Sequence, residues 1–150
     1  MTRPSATKKR RLEPTFFVDR NLCGSVFVAH LRLHGLRIEE LDAHFEPTAA
    51  DVEWLPFVGV KGWVVITQDQ LRDDLEEQVA LIRHGVKVFV FKGYASHQDL
   101  ADLFLLKIRR IRRTIQGHED PFLAKIYVRT GEIKISTLAD LYSVQARRRR

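Results

Sequence analysis

At 150 residues the chain is long enough to bury one core and too short for several domains of ordinary size. Its composition, 45% hydrophobic and 29% charged, excludes wholesale disorder, and its apolar runs of about five residues at most exclude a spanning helix. The net charge of +6 is unevenly placed: residues 1–13 and 147–150 carry +4 each, and the stretch between them is −2.

The first fourteen residues read as a basic arm with no apolar segment to make a secretory signal. "TFFVD" (15–19) is then an aromatic and β-branched run, predicted as a buried strand. "GSVFVAHLRLHG" has its apolar residues on one helical face and Gly35 to end it. "LRIEELD" (36–42) alternates as a second strand and ends on Asp42. In "PTAADVEWLPFVGVKG", Thr48 and Asp51 give a helix start, and Pro56 predicts a short or kinked helix. "WVVIT" (63–67) is a third strand, and "QLRDDLEEQVALIRHG" a charged helix closed by Gly85. "KVFVF" (87–91) is the fourth strand. "SHQDLADLFLLKIRRIRRTIQG" opens with a Ser96–Asp99 cap pattern and predicts one long helix ending at Gly117. The rhythm then breaks: "FLAKIYV" and "EIKIST" across "RTG" predict a β-hairpin over 118–138, and 139–150 a basic tail.

Four strand–helix alternations over residues 15–117 predict an α/β fold with a parallel sheet covered on both faces, plus the C-terminal hairpin. Such sheets bind ligands outside the carboxyl ends of their strands, where Asp19, Asp42, Asp69 and Lys92 all fall. Converging carboxylates repel one another without a counter-cation. Hard divalent ions with oxygen ligands, Mg²⁺ or Mn²⁺, suit them. The chain has six His but no HExxH motif and one cysteine, so a zinc site has no sequence support; that cysteine, Cys23, excludes an internal disulfide and fits a reducing, cytoplasmic setting.

Each acid also has a plainer role. Asp69 and Asp51 could be helix caps and Asp42 a turn residue, whereas Asp19, followed by Arg20, has no cap to make. On the second helix Asp51 shares a face with Leu55, the expected core contact, while Glu53 lies about 200° away. Asp51 therefore leads, with Glu53 close behind.

"FFVDRNL", "DAHFEPTAADVEWL", "GWVVITQDQLR" and "GVKVFVF", taken in order, resemble PIN-like domains, in particular the branch related to VapC-type toxins. The resemblance covers about residues 15–115 and implies a three-layer α/β/α nuclease fold. It also implies a Mg²⁺- or Mn²⁺-dependent ribonuclease, a hydrolase that cleaves RNA and is paired with a cognate antitoxin. Asp19 matches the acid of the first strand, Asp69 that of the T-x-D segment, and Asp51 or Glu53 the acid opening the middle helix. Catalysis would thus rest on Asp19, Asp51, Glu53 and Asp69, with Asp19, Asp51 and Asp69 as the metal ligands. The family's fourth acid has no clear counterpart after "KVFVF"; Asp73 and Asp74 are near it only in sequence.

RNA contacts are expected from Arg20, Asn21, Arg72 and the "KIRRIRR" arginines 109, 110, 112 and 113, which also suit the polar face of a surface helix. The stripe "LFLLKI" (103–108) serves either the core or a homodimer interface. Trp54 and Trp63 read as packing residues, and His30, His34 and His84 as capping or solvated groups near helix ends. Two other functions compete. One is an RNA-binding module of the same fold without a working metal site. The other is a receiver-like signalling domain, which wants a second acid where Arg20 stands.

Overall fold

The computed structural model describes residues 13–46, 48–68, 78–79 and 82–149, with Asp51 described in its backbone only. Strands β1 (Thr15–Val18), β2 (Arg37–Glu40), β3 (Val64–Gln68), β4 (Lys87–Lys92), β5 (Phe122–Tyr127) and β6 (Ile133–Thr137) form one sheet in the order β2-β1-β3-β4-β5-β6. Every pairing is parallel except that of β5 with β6. The expected hairpin therefore exists, and its first strand extends the parallel sheet by pairing with β4 from Lys87↔Phe122 to Lys92↔Tyr127.

Side chains alternate across the pleat. Phe16, Val18, Val64, Ile66, Phe89, Phe91, Phe122 and Ala124 point to one face, where α1 (Val26–Leu33), α3 (His97–Leu106) and α4 (Ile108–Gly117) cover them. Phe17, Val65, Val88, Val90 and Leu123 point to the other, covered by α2 (Asp51–Lys61), by Val79 and Ile82, and by α5 (Leu138–Arg148). The result is the three-layer α/β/α arrangement expected. Phe104 of α3 is the hub of the first layer, its ring meeting those of Phe16, Phe27, Phe89 and Phe91 at centroid distances of 5.3, 6.1, 6.4 and 6.2 Å.

Four expectations need correction. Residues 139–148, expected in a basic tail, continue helix α5, which Thr137 and Asp140 open with reciprocal hydrogen bonds of 3.2 and 2.9 Å. Leu138, Leu141 and Val144 give α5 an apolar stripe that the sheet covers, and this packing makes a helix of an arginine-rich end. The single helix expected over 96–117 is two, α3 and α4, divided at Lys107. Helix α2 begins at Asp51 after Ala50, not at Thr48, and runs eleven residues through Pro56. Burial of Trp54, Leu55 and Val58 holds it in place, and Pro56 lies on its exposed side. Finally, β2 stops at Glu40, and Asp42 lies in the single 3₁₀ turn that follows.

Candidate active site at the carboxyl edge of the sheet

The chain leaves β1 for β2 on one side through α1, then returns to β3 on the other side through α2. The carboxyl ends of β1 and β3 therefore flank the point where strand order reverses, and the connections part to leave a crevice. Asp19 is the first residue past β1. Register pairs Val18 with Ile66, so the next residues along, Asp19 and Thr67, face each other. Thr67 Oγ1 donates to Asp19 Oδ2 at 2.6 Å, and the Asn21 backbone N–H donates to Oδ1 at 3.3 Å. Thr67 is buried, so its hydroxyl holds one carboxylate oxygen from below. The charge-assisted bond fixes where the acid stands.

The residues after Asp19 lace the same edge. Asn21 Nδ2 donates to the Gln68 carbonyl at 3.3 Å, tying the β1 turn to the end of β3. Arg20 donates to the Ala49 carbonyl at 2.5 Å, which brings the entrance of α2 to the turn. A structural duty for both residues is thus visible in the geometry.

Asp51 is the first residue of α2, close in sequence to the Ala49 carbonyl that Arg20 holds. Glu53 is exposed, and its Oε2 accepts from the Ala50 backbone N–H at 3.1 Å. That bond satisfies a free donor of the helix start. Leu55 is buried, as the helical-face reading requires. Asp69, Arg72, Asp73 and Asp74 lie outside the described residues. Among the described residues no three His, Cys, Asp or Glu side chains gather to hold an ion.

Asp42 is exposed and lines, with His44, Phe45, Glu46, Ala49 and Glu53, an open concavity of about 650 Å³ beside the entrance of α2. Asp42 also stands beside Cys23. Burial raises the Cys23 thiol above its ordinary pKa and the Asp42 carboxylate adds to this, against a backbone hydrogen bond from Asp42. The raised pKa keeps the thiol protonated at neutral pH.

The α4 arginines divide. Arg110 donates to the Ile133 carbonyl at 3.2 Å, and Arg112 pairs with Glu13 at 3.7 Å, while Arg109 and Arg113 are exposed. A second concavity, about 620 Å³, opens at the amino edge among Thr15, Val64 and Lys87, the first residues of their strands. There Lys87 Nζ donates to the Ile115 carbonyl at 3.0 Å, and burial lowers its pKa against the pull of Glu119 and Asp120.

The sequence offers Thr67 within the T-x-D segment but does not show that it positions Asp19. Its signal was the T-x-D spacing, which places a hydroxyl inside the strand two residues before an acid.

No curated protein and no solved structure matches the chain. A family model described as a PIN like domain matches residues 14–93, which span β1 to the turn after β4 and include both strand ends of the crevice. The chain belongs to the PIN-like domain family.

Proposed function

We propose that the protein is a metal-dependent endoribonuclease of the VapC-related branch, the toxin of a toxin–antitoxin pair. The PIN-like family is of nuclease type in general, which supports the hydrolase part of the reading. The observation that carries it is the placement of Asp19 at the strand-order reversal, braced by Thr67. A carboxylate there offers hard oxygen donors, the chemistry Mg²⁺ or Mn²⁺ selects.

Asp19, Asp51 and Asp69 would hold the ion. When bound, it would supply charge neutralisation at a phosphodiester and acidify water. The chain's own contribution is positional. Thr67 and the Asn21 backbone hold Asp19 still, and Arg20 and Asn21 draw the α2 entrance and the end of β3 to it. Glu53 serves the helix start. The basic termini would add affinity for RNA.

The test is cleavage of single-stranded RNA with Mg²⁺, with Mn²⁺ and with a chelator. Cleavage that needs the ion and vanishes in Asp19→Asn supports the reading. RNA binding with no cleavage under any ion would make the protein a non-catalytic RNA-binding module.

A further inference from the structure

Strand register carries one row of side chains from the crevice to the far edge of the sheet. Thr67, the brace of Asp19, pairs with Val90, Val90 with Lys125, and Lys125 with Lys134. All four stand on the face that α2 and α5 cover, because Val65, Val90 and Leu123 do and side chains alternate along each strand. Lys92, the last residue of β4, stands two residues beyond Val90 on that same face and pairs with Tyr127. Neighbouring strands lie about 4.8 Å apart, which puts Lys125 about 10 Å and Lys134 about 14 Å from Thr67.

Burial thins out along this row: Val90 is buried, Lys125 half-buried and Lys134 exposed. Lys134 lies over the Tyr127 ring, its Nζ 5.6 Å from the centroid, a contact that steadies the ammonium and leaves its charge. Lys92 and Lys125 each hold a partner already, and an ammonium has three donors to share. Exposed Arg129 adds a cation in the β5–β6 turn, against the exposed acid Glu132 beside Tyr127. Two lysines directly opposite each other in an antiparallel pair repel, so the stability of the hairpin does not call for Lys125 and Lys134. A polyanion laid along the row would turn that repulsion into attraction. Lys125, Arg129 and Lys134 also lie beyond residues 14–93, the part of the chain that the family model matches.

We propose that Lys92, Lys125 and Lys134 form a phosphate track for single-stranded RNA, leading from the crevice across β4, β5 and β6. The track rests on the ribonuclease reading, since it delivers a substrate strand to that site. It holds the strand by its backbone and so positions RNA without selecting a base.

The experiment measures binding of a labelled single-stranded RNA to the full chain in a chelator, across a salt series. At 0.1 M salt, Lys125→Gln/Lys134→Gln should bind about ten- to thirtyfold more weakly than wild type. Its slope of log K against log salt should be shallower by about 1.4. Lys61→Gln/Arg83→Gln removes the same charge at the amino edge, where Lys61 ends α2 and Arg83 precedes β4, and should change Kd less than about threefold. Thermal melts check that each variant folds, and the exposed Lys134→Gln alone carries the test if the double variant does not. In metal-dependent cleavage the double variant should raise KM and keep kcat within about twofold. The track is overturned if the double variant binds as wild type does, or if the amino-edge variant loses as much; wild-type cleavage then leaves the ribonuclease reading standing. A wild type that binds through the three lysines and never cleaves supports the track and sinks that reading. A wild type that binds no RNA overturns both.

Discussion

Thr67 Oγ1 donates a 2.6 Å hydrogen bond to Asp19 Oδ2, joining the ends of two neighbouring parallel strands at the point where strand order reverses. The bond is possible because β1 and β3 are in register: Val18 opposite Ile66 places the next two side chains on the same face, one step along. Asp19 thus serves as a fixed anionic post, and Thr67 as its brace.

From this brace follows a graded pair of variants. Asp19→Asn should lower metal-dependent RNA cleavage at least about a hundredfold, whereas Thr67→Val should lower it about ten- to a hundredfold by freeing the acid. Thr67→Ser, which keeps the hydroxyl, should recover most of the activity. Thr67→Val should cost about 1 kcal/mol of stability in urea titrations, since Val fits the strand and one hydrogen bond is lost. Wild-type cleavage in Thr67→Val would mean that the carboxylate is held by other groups.

Asp51 and Glu53 should separate by assay. Glu53 already binds the Ala50 N–H, so Glu53→Ala should cost about 0.5–1 kcal/mol of stability. Glu53→Gln should leave cleavage near that of wild type. Asp51→Asn should damage cleavage more and stability less. Reversed losses in single-turnover cleavage would identify Glu53 as the acid of the helix start.

Gly59 of α2 sits against the backbone of the turn before β4: a Cβ added there would lie 2.3 Å from the His84 carbonyl oxygen. Alanine favours helix over glycine by about 1 kcal/mol, but the contact is with backbone and cannot swing aside. Gly59→Ala should therefore destabilise by about 1–3 kcal/mol. Gly117→Ala, at the end of α4 with open space around it, should be neutral or stabilising in the same chemical denaturation series.

Lys87 provides a pH test. Burial lowers its folded-state pKa below the ordinary 10.5, so the unfolded chain binds more protons in the interval between the two values. The cost of keeping the group charged is full below the folded pKa and disappears as pH rises through the interval to the unfolded value. Relative to Lys87→Met, the wild type should therefore gain stability as pH rises towards 10.5. A constant difference between the two proteins across that range would show that the half-buried ammonium carries no penalty.

The basic termini should govern RNA affinity and its salt dependence. If all nine cations of residues 1–12 and 147–150 met phosphates, log K against log salt would have a slope of up to roughly −6 for a single strand. Removing residues 1–12 and replacing the terminal arginines by Gln should flatten that slope. Because α5 packs on the sheet, replacement is the proper change at that end. Cleavage at saturating RNA should stay within about twofold, and an unchanged slope would show that the termini do not touch the strand.

Much of this architecture was legible in the residues themselves. The runs "TFFV", "VVIT" and "KVFVF" specify buried strands because continuous apolar sequence needs cover on both faces, and helices between them supply it. The same logic placed Asp19 at a strand end before any neighbour was known. What lay beyond the sequence was everything that depends on partners distant along the chain. Leu138, Leu141 and Val144 look like a frayed end until the second face of the sheet offers them cover. Thr67 is an ordinary strand residue until register sets it beside an acid forty-eight positions earlier. His30 looked like a capping or solvated helix residue until α3 brought Asp102 and Gln98 alongside. Local sequence sets period and propensity, which determine elements. Only packing sets which side chains from separate elements come within 3 Å of each other, and chemistry at a site is decided at that distance.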